Sequence, residues 1–375
     1  MKKTFERERP FEYLRRSGDG TPFPEETVKN WYTARAYVLD KFKDIAIAPG
    51  SGGHLTVVVD GDSPLMLAVV RQVALSAHFF NYEEYDLFDR LACLNRTVIA
   101  LVSSKAPEAI EEELGREEYL CNLMKFCKHS VYGEVRNADS YIDVELEVVR
   151  ERPACDGAIL MDEKDVREFV STQDPEILYS IDTRKAVLSG RVYNLGAVID
   201  NLPAEDIHSP KRYIHALDTF QYKLLQEKLV PLINPKKWSS NQIAVKNGLS
   251  TIICADCFES RANGIRRFAG EHGISEPEAW AMNNEALSVS EHHRWVVEKL
   301  ILGFSPIGTS ERFNYERLFG KKRFAYWKQL KTDPEAPVHI DLCSYRDLRR
   351  IDPENMKYDS FLLLAIPLIL QKLKK

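Results

Sequence analysis

At 375 residues the chain is longer than one ordinary hydrophobic core serves, and two domains are expected. Charged residues make up 29% and hydrophobic ones 44%, the balance of a folded globular protein and not of a disordered one. A net charge of −5 excludes a sequence-wide positive field that would draw nucleic acid or an anionic membrane, while leaving room for a local basic patch.

Residues 1–24 are charged and punctuated by Gly and Pro, and with the helix that follows they make an N-terminal arm over residues 1–50. That helix starts near Pro24 and carries Val28, Trp31, Ala34, Tyr37, Val38 and Phe42. Residues 55–59 are short and β-branched, as in a buried parallel strand. Asp60, Gly61, Asp62, Ser63 and Pro64 follow at once, then an apolar helix over residues 65–79. Ser63 suits its N-cap and Pro64 its first position. After an insertion rich in Tyr, Asp and Glu (residues 81–96), residues 97–102 read as a second strand. Strand, tight turn, helix and strand open a doubly wound, Rossmann-like α/β domain, expected over residues 51–202. The same domain is expected to hold a charged helix at 108–127 and an alternating strand with one wet face at 141–149. Weaker strands fall at 158–161, 185–188 and 192–199.

From Pro203 the pattern is helical. A connector over residues 203–275 contains a helix from Ser209, a linker with Pro231, Pro235 and Trp238, and a long helix over 243–268. Ser275 and Glu278 form a capping box that opens the central helix of a last, mostly helical domain, residues 276–375. On that helix His292, Trp295, Val296 and Lys299 share a face, and Gly303 stands where a left-handed cap ends it. A histidine and a tryptophan with a lysine one turn on would wall a flat or anionic ligand. The competing reading is a structural corner, the indole in the core and His292 on a backbone carbonyl. The basic and aromatic stretch 321–328 offers stacking and charge to a nucleotide, or else is a surface loop with a buried aromatic edge.

Signals for chemistry are sparse. The turn after the first strand is where an open α/β sheet seats a phosphate, but of the three glycines in a dinucleotide fingerprint only Gly61 is present. The candidate cofactor-binding residues are Gly61, Asp62, Ser63 and Lys105, the last suited to the 2′-phosphate of NADP. The alternative is a sheet that holds no cofactor. Cys254 and Cys257 have zinc-knuckle spacing, yet they lie on a helical pattern with no second pair, so buried thiols and no metal are expected. The chain lacks a Walker loop, a nucleophile elbow and a His-Glu-x-x-His pair, and no catalytic residue is assigned. Seven cysteines without a framework, and an N-terminus without an apolar core, point to the cytoplasm. No run approaches the ~18 apolar residues of a spanning helix.

Glu291, His292, Arg294 and Trp295, followed by Lys299, Gly303 and Phe304, resemble the ryanodine-receptor repeat (RyR) domain of prokaryotic proteins. Two further blocks of that pattern follow in order: His339, Leu342, Tyr345 and Leu348, then Lys357, Tyr358 and Asp359 leading to Ala365, Ile366 and Pro367. Residues 55–59, 70–74, 96–101 and 249–256 are similar to the NAD-binding-like domain of potassium-uptake regulators, which some of those bacterial proteins carry. Phe304 followed by Ser-Pro-Ile departs from the family pattern and implies a pocket of different shape. The resemblance implies a ligand-responsive or interaction module. Its expected ligand-binding residues are His292, Trp295, Lys299 and Tyr345.

The leading expectation is therefore a non-catalytic sensor or adaptor for a nucleotide-like small molecule. A second reading is an NAD(P)-dependent oxidoreductase working at the crevice, and a third is a structural or dimerisation protein without a ligand. Neither membrane nor nucleic acid is an expected partner; a second copy of the chain is.

Overall fold

The computed structural model describes residues 23–87, 90–117, 120–179, 188–192, 195–196, 245–332, 337–353 and 355–373. Over these the chain is a mixed α/β protein built on a six-stranded, mostly parallel sheet.

The first half runs α1 (Glu25–Phe42), β1 (Thr56–Asp60), α2 (Pro64–Ser76), β2 (Glu83–Leu87), β3 (Arg90–Leu94), β4 (Thr97–Val102), α3 (Pro107–Arg116) and α4 (Cys121–Met124). It continues with β5 (Lys128–Val131), β6 (Glu134–Arg136), β7 (Val144–Val149), β8 (Ile159–Asp162), α5 (Glu163–Thr172) and α6 (Pro175–Leu178). The sheet order is β6-β5-β7-β4-β1-β8, with only the β5–β6 hairpin antiparallel. Val57, Val59, Ile99, Leu101, Val144, Leu146, Val148 and Met161 alternate to one face and join α1 and α2 in the main core. α2 starts where expected: the Ser63 hydroxyl accepts the Met66 N–H at 3.4 Å, and Pro64 opens the first turn.

The opposite face of the sheet presents Thr56, Val58, Val98, Ala100, Glu145 and Glu147. The link from β7 to β8, residues 150–158, has no helix and crosses that face. Arg152 on it pairs with Asp60, while Pro153 and Cys155 border an open groove of about 330 Å³ with Glu145, Glu147 and Lys128. The wet face expected of residues 141–149 is thus partly covered, and Glu145, paired with Lys128 at 2.5 Å, is buried.

The second half comprises α7 (Val245–Asp256), α8 (Phe258–His272), α9 (Glu276–Met282), α10 (Asn284–Ile301), β9 (Ser305–Pro306), α11 (Thr309–Arg317), α12 (Gly320–Lys331), β10 (Val338–His339), α13 (Tyr345–Ile351) and α14 (Met356–Leu373). α10 is the spine of the molecule. Its Val296, Val297, Leu300 and Ile301 lie in the same core as the sheet, Leu287 packs with Trp280 and Ile366, and Val289 packs with Tyr345 and Leu348. A helix assigned from sequence to the last domain therefore completes the core of the first.

Several expected elements differ. The insertion 81–96 is a β-hairpin, β2 with β3. The charged helix at 108–127 is two pieces, α3 and α4, and β5 and β6 follow where no strand was expected. Strands were expected at 185–188 and 192–199, but Leu188 and Val192 are helical, and the last described strand of the sheet is β8. The long helix at 243–268 breaks at Cys257, and the capping box at Ser275 opens α9, which a break at Asn283 separates from α10. The helix expected from Ser209 and the linker at 231–238 lie outside the described residues. Gly303 takes a φ of +87°, as its capping position requires.

Candidate functional site

The crevice residues Gly61, Asp62, Ser63 and Lys105 lie at one edge of the sheet. β1 is followed by β4 on one side, while the chain returns to β8 on the other, so the carboxyl ends of β1 and β8 form the switch point of the sheet. Gly61, at φ +119°, Asp62 and Ser63 lie there, and the Lys105 ammonium is 3.2 Å from Asp62. Two of the backbone donors at this turn are used. The Gly61 N–H donates to Val102 O at 3.2 Å, Pro64 has no N–H, and the Met66 N–H is taken by Ser63. Asp62 also accepts from the Ser103 hydroxyl, and Lys105 is shared with Glu113. Glu163 lies beside Gly61 as well, 4.0 Å from where a Cβ on that glycine would fall. Carboxylates therefore line this edge, and its lysine is paired with two of them.

The other candidate set divides. His292 and Tyr345 are interior residues, at 2% and 1% exposure. His292 Nε2 lies 2.8 Å from the carbonyl of Cys343, and burial together with the neighbouring His293 pushes its pKa down to about 4. Tyr345 packs against the His292 ring at 5.6 Å. Only Trp295 and Lys299 of the four reach toward solvent. The Lys299 ammonium is 5.8 Å from the Trp295 ring centre and pairs with Glu298 at 2.6 Å.

Trp295 stacks on the His292 ring at 6.2 Å and, on its other side, joins a cluster centred on His339 of β10. That imidazole meets Trp295 edge to face at 4.8 Å, with Phe304 at 6.2 Å and Trp327 at 6.1 Å. The Lys331 ammonium is 4.6 Å from the Trp327 ring centre. His339 Nδ1 accepts the N–H of Asp341 at 3.3 Å, which assigns its proton to Nε2. Burial, then the positive charges of Lys331 and Lys299, hold His339 well below the usual histidine range. The indole N–H of Trp327 is buried and has no hydrogen-bond partner among the described residues. Trp327 was visible from sequence only as part of the basic and aromatic stretch, and His339 only as the start of a motif block. Nothing local in the sequence linked them to Trp295.

The α/β half grips α10 at several places, among them His78 O, which accepts the Ser290 hydroxyl at 3.0 Å. Glu84 of β2 accepts from His293 Nε2 at 2.6 Å and from the N–H groups of Tyr345 and Arg346 at 3.1 Å, capping α13. Burial opposes its charge, yet the His293 contact and the two backbone donors hold its pKa below the ordinary value. At the far end, Asn122 of α4 donates to Leu300 O at 2.8 Å and Phe304 O at 2.6 Å. Cys254 and Cys257 are buried, and burial pushes the Cys257 thiol up to about 11.

Asp341 supplies a measurable consequence. One oxygen accepts from Asn355 at 2.7 Å, the other is buried without a partner among the described residues, and burial with the nearby Asp352 raises the pKa from 3.8 to about 7. A raised carboxyl contributes stability that is fully present below about pH 3.8 and is lost as pH rises through about 7. Asp341→Asn, which keeps a neutral group there, should therefore gain about 2–4 kcal/mol relative to wild type between roughly pH 4 and 8. Urea unfolding at both pH values tests this, and parallel stability profiles for the two proteins would refute it.

No protein-family model, curated protein or solved structure matches the chain. Its class rests on the fold alone: mixed α/β, with a six-stranded, mostly parallel sheet. Among the described residues, no helix is long and apolar enough to cross a membrane.

Proposed function

We propose that the protein is a non-catalytic sensor or adaptor, and that its ligand is a nucleotide-like small molecule held where Trp295, Phe304, Trp327 and His339 converge. The three motif blocks quoted above support reading the C-terminal third as RyR-like and the sheet as the Rossmann-like partner of such domains. The observation that carries the ligand reading is the buried indole N–H of Trp327, without a hydrogen-bond partner among the described residues, within an aromatic cluster flanked by Lys299 and Lys331. A purine or pyrimidine offers such a donor an acceptor and the neighbouring rings a stacking partner. Because Trp295 lies on α10, occupancy there would bias the helix that both halves share. A ligand transmits only if it favours one packing over another. The NAD(P)-dependent oxidoreductase reading has less support, since it needs a pyrophosphate seat at a crevice whose lysine is paired with Asp62 and Glu113.

Thermal melting with mononucleotides, cyclic nucleotides and NAD(P) is the test. A nucleotide at roughly 100 times its Kd should stabilise the fold by about 2.7 kcal/mol. Trp327→Phe, which removes the N–H and keeps a ring, should lose most of that shift. If no nucleotide moves the melting point, the proposal is wrong. It is equally wrong if the shift survives in Trp327→Phe and disappears in Lys105→Ala, which would locate binding at the crevice.

A further inference from the structure

We propose that the corner between α11 and α12 is a docking surface for an anionic phospholipid bilayer. Residues 309–332 carry seven Lys and Arg against two Glu, in a chain whose total is −5. The charge of the molecule is therefore segregated onto this corner. α12 is a helix of 12 residues of which none is buried, although it contains Phe324, Tyr326, Trp327 and Leu330. Tyr326 and Trp327 pack partly against the core around Tyr345 and Leu348, whereas Phe324 is left in water.

The exposed side chains are concentrated at the corner. Phe319, immediately before α12, is 79% exposed, and Phe313 of α11 and Phe324 of α12 are 58% and 60% exposed. Gly320, at φ +54°, makes the sharp turn that puts Phe319 at the apex. The inner side of α12 is anchored by Arg323, whose guanidinium donates to Ile351 O at 3.2 Å and covers the Tyr315 ring at 4.1 Å. Lys321, Phe324 and Lys328 fall at helical spacing on the outer side, and all three are exposed.

Exposed phenylalanines beside the exposed Lys321, Lys322 and Lys328 match the interface of an anionic bilayer. The rings enter the acyl boundary and the ammonium groups stay at headgroup level. Single-stranded nucleic acid matches less well, because stacking needs free ring faces. The Arg317 guanidinium sits 5.1 Å from the Phe313 ring centre, and the Phe324 and Trp327 rings are 5.4 Å apart. Insertion into hydrocarbon needs no free face.

Co-sedimentation of the full chain with vesicles tests the proposal. Vesicles of phosphatidylcholine with phosphatidylserine should carry the protein down, and vesicles of phosphatidylcholine alone should not. Phe319→Ser leaves the charge unchanged and should lower partitioning about tenfold or more. Replacing Lys321 and Lys322 by Glu should lower it roughly fivefold for each positive charge removed, and added salt should do the same to wild type. These positions are exposed, so circular dichroism should find every variant folded. Failure of the wild type to sediment with anionic vesicles overturns the proposal. So does full retention in Phe319→Ser, or binding to single-stranded RNA that the lysine variant loses and Phe319→Ser keeps.

Discussion

Arg294→Met is expected to lower stability by about 3–5 kcal/mol, a large share of what holds any domain together. Arg294 lies on α10, where its guanidinium donates to Glu291 at 2.9 and 3.0 Å and to Glu298 at 2.7 Å. Arg261 of α8 closes on Glu291 from the other side, and all four side chains are within 3% of fully buried. Burial works against the Glu291 charge, but Arg294 and Arg261 more than offset it and hold its pKa at about 2. Without Arg294, Glu291 keeps one arginine, and Glu298 keeps Lys299 and the Ser250 hydroxyl at 2.9 Å. The cost is that of a buried carboxylate left partly unpaired, not the net worth of the contact. The triple variant Arg261→Met, Glu291→Leu, Arg294→Met removes that carboxylate with its partners and should regain most of the loss. Urea midpoints decide the matter: a single variant as stable as wild type, or a triple variant weaker than the single, would contradict this account.

Gly264→Ala is expected to destabilise the protein by about 2–3 kcal/mol, against the sign that helix propensity alone would give. Gly264 is inside α8, where alanine is ordinarily better by about 1 kcal/mol. Here a Cβ would fall well inside contact distance of the carbonyl oxygen of Ile47, which is backbone and cannot rotate away. Gly270 is on the same helix with open space around its Cβ position, so Gly270→Ala should be neutral or stabilising. Thermal melting of the two variants side by side separates close approach from propensity. Two alanines of equal effect would mean that α8 moves off residues 45–48 at little cost.

Much of the first half was readable in order because its signals are local. Continuous β-branched and apolar runs fix β1 and β4, and Ser63 with Pro64 fixes the start of α2, since cap and first-turn chemistry act within four residues. The hairpin of β2 and β3 escaped notice because Tyr, Asp and Glu there serve partners far along the chain. Glu84, for example, is 209 positions from His293. The breaks at Cys257 and Asn283 were equally silent, because the apolar pattern runs through both while the helix axes change.

The candidate site divides on the same line. Spacing alone put His292, Trp295 and Lys299 on one face of a helix, and that is where they are. It could not tell which of them faces solvent, because an apolar stripe and a ligand wall have the same period. Packing of α13 and β10 against α10 sealed His292 and Tyr345 inside and turned Trp295 toward His339, Phe304 and Trp327.

What the amino-acid order determined by itself was the set of elements whose dihedrals and caps are chosen within a turn or two: the leading strands, the glycine at Gly303, the capping box at Ser275. Only the tertiary structure decided that α10 completes the core of the sheet and that its acidic and basic residues are interior partners. It also decided that the lysine at the crevice is already engaged. Those outcomes depend on which charges meet after burial, and a buried charge is tolerable only beside a partner that distant parts of the chain must supply.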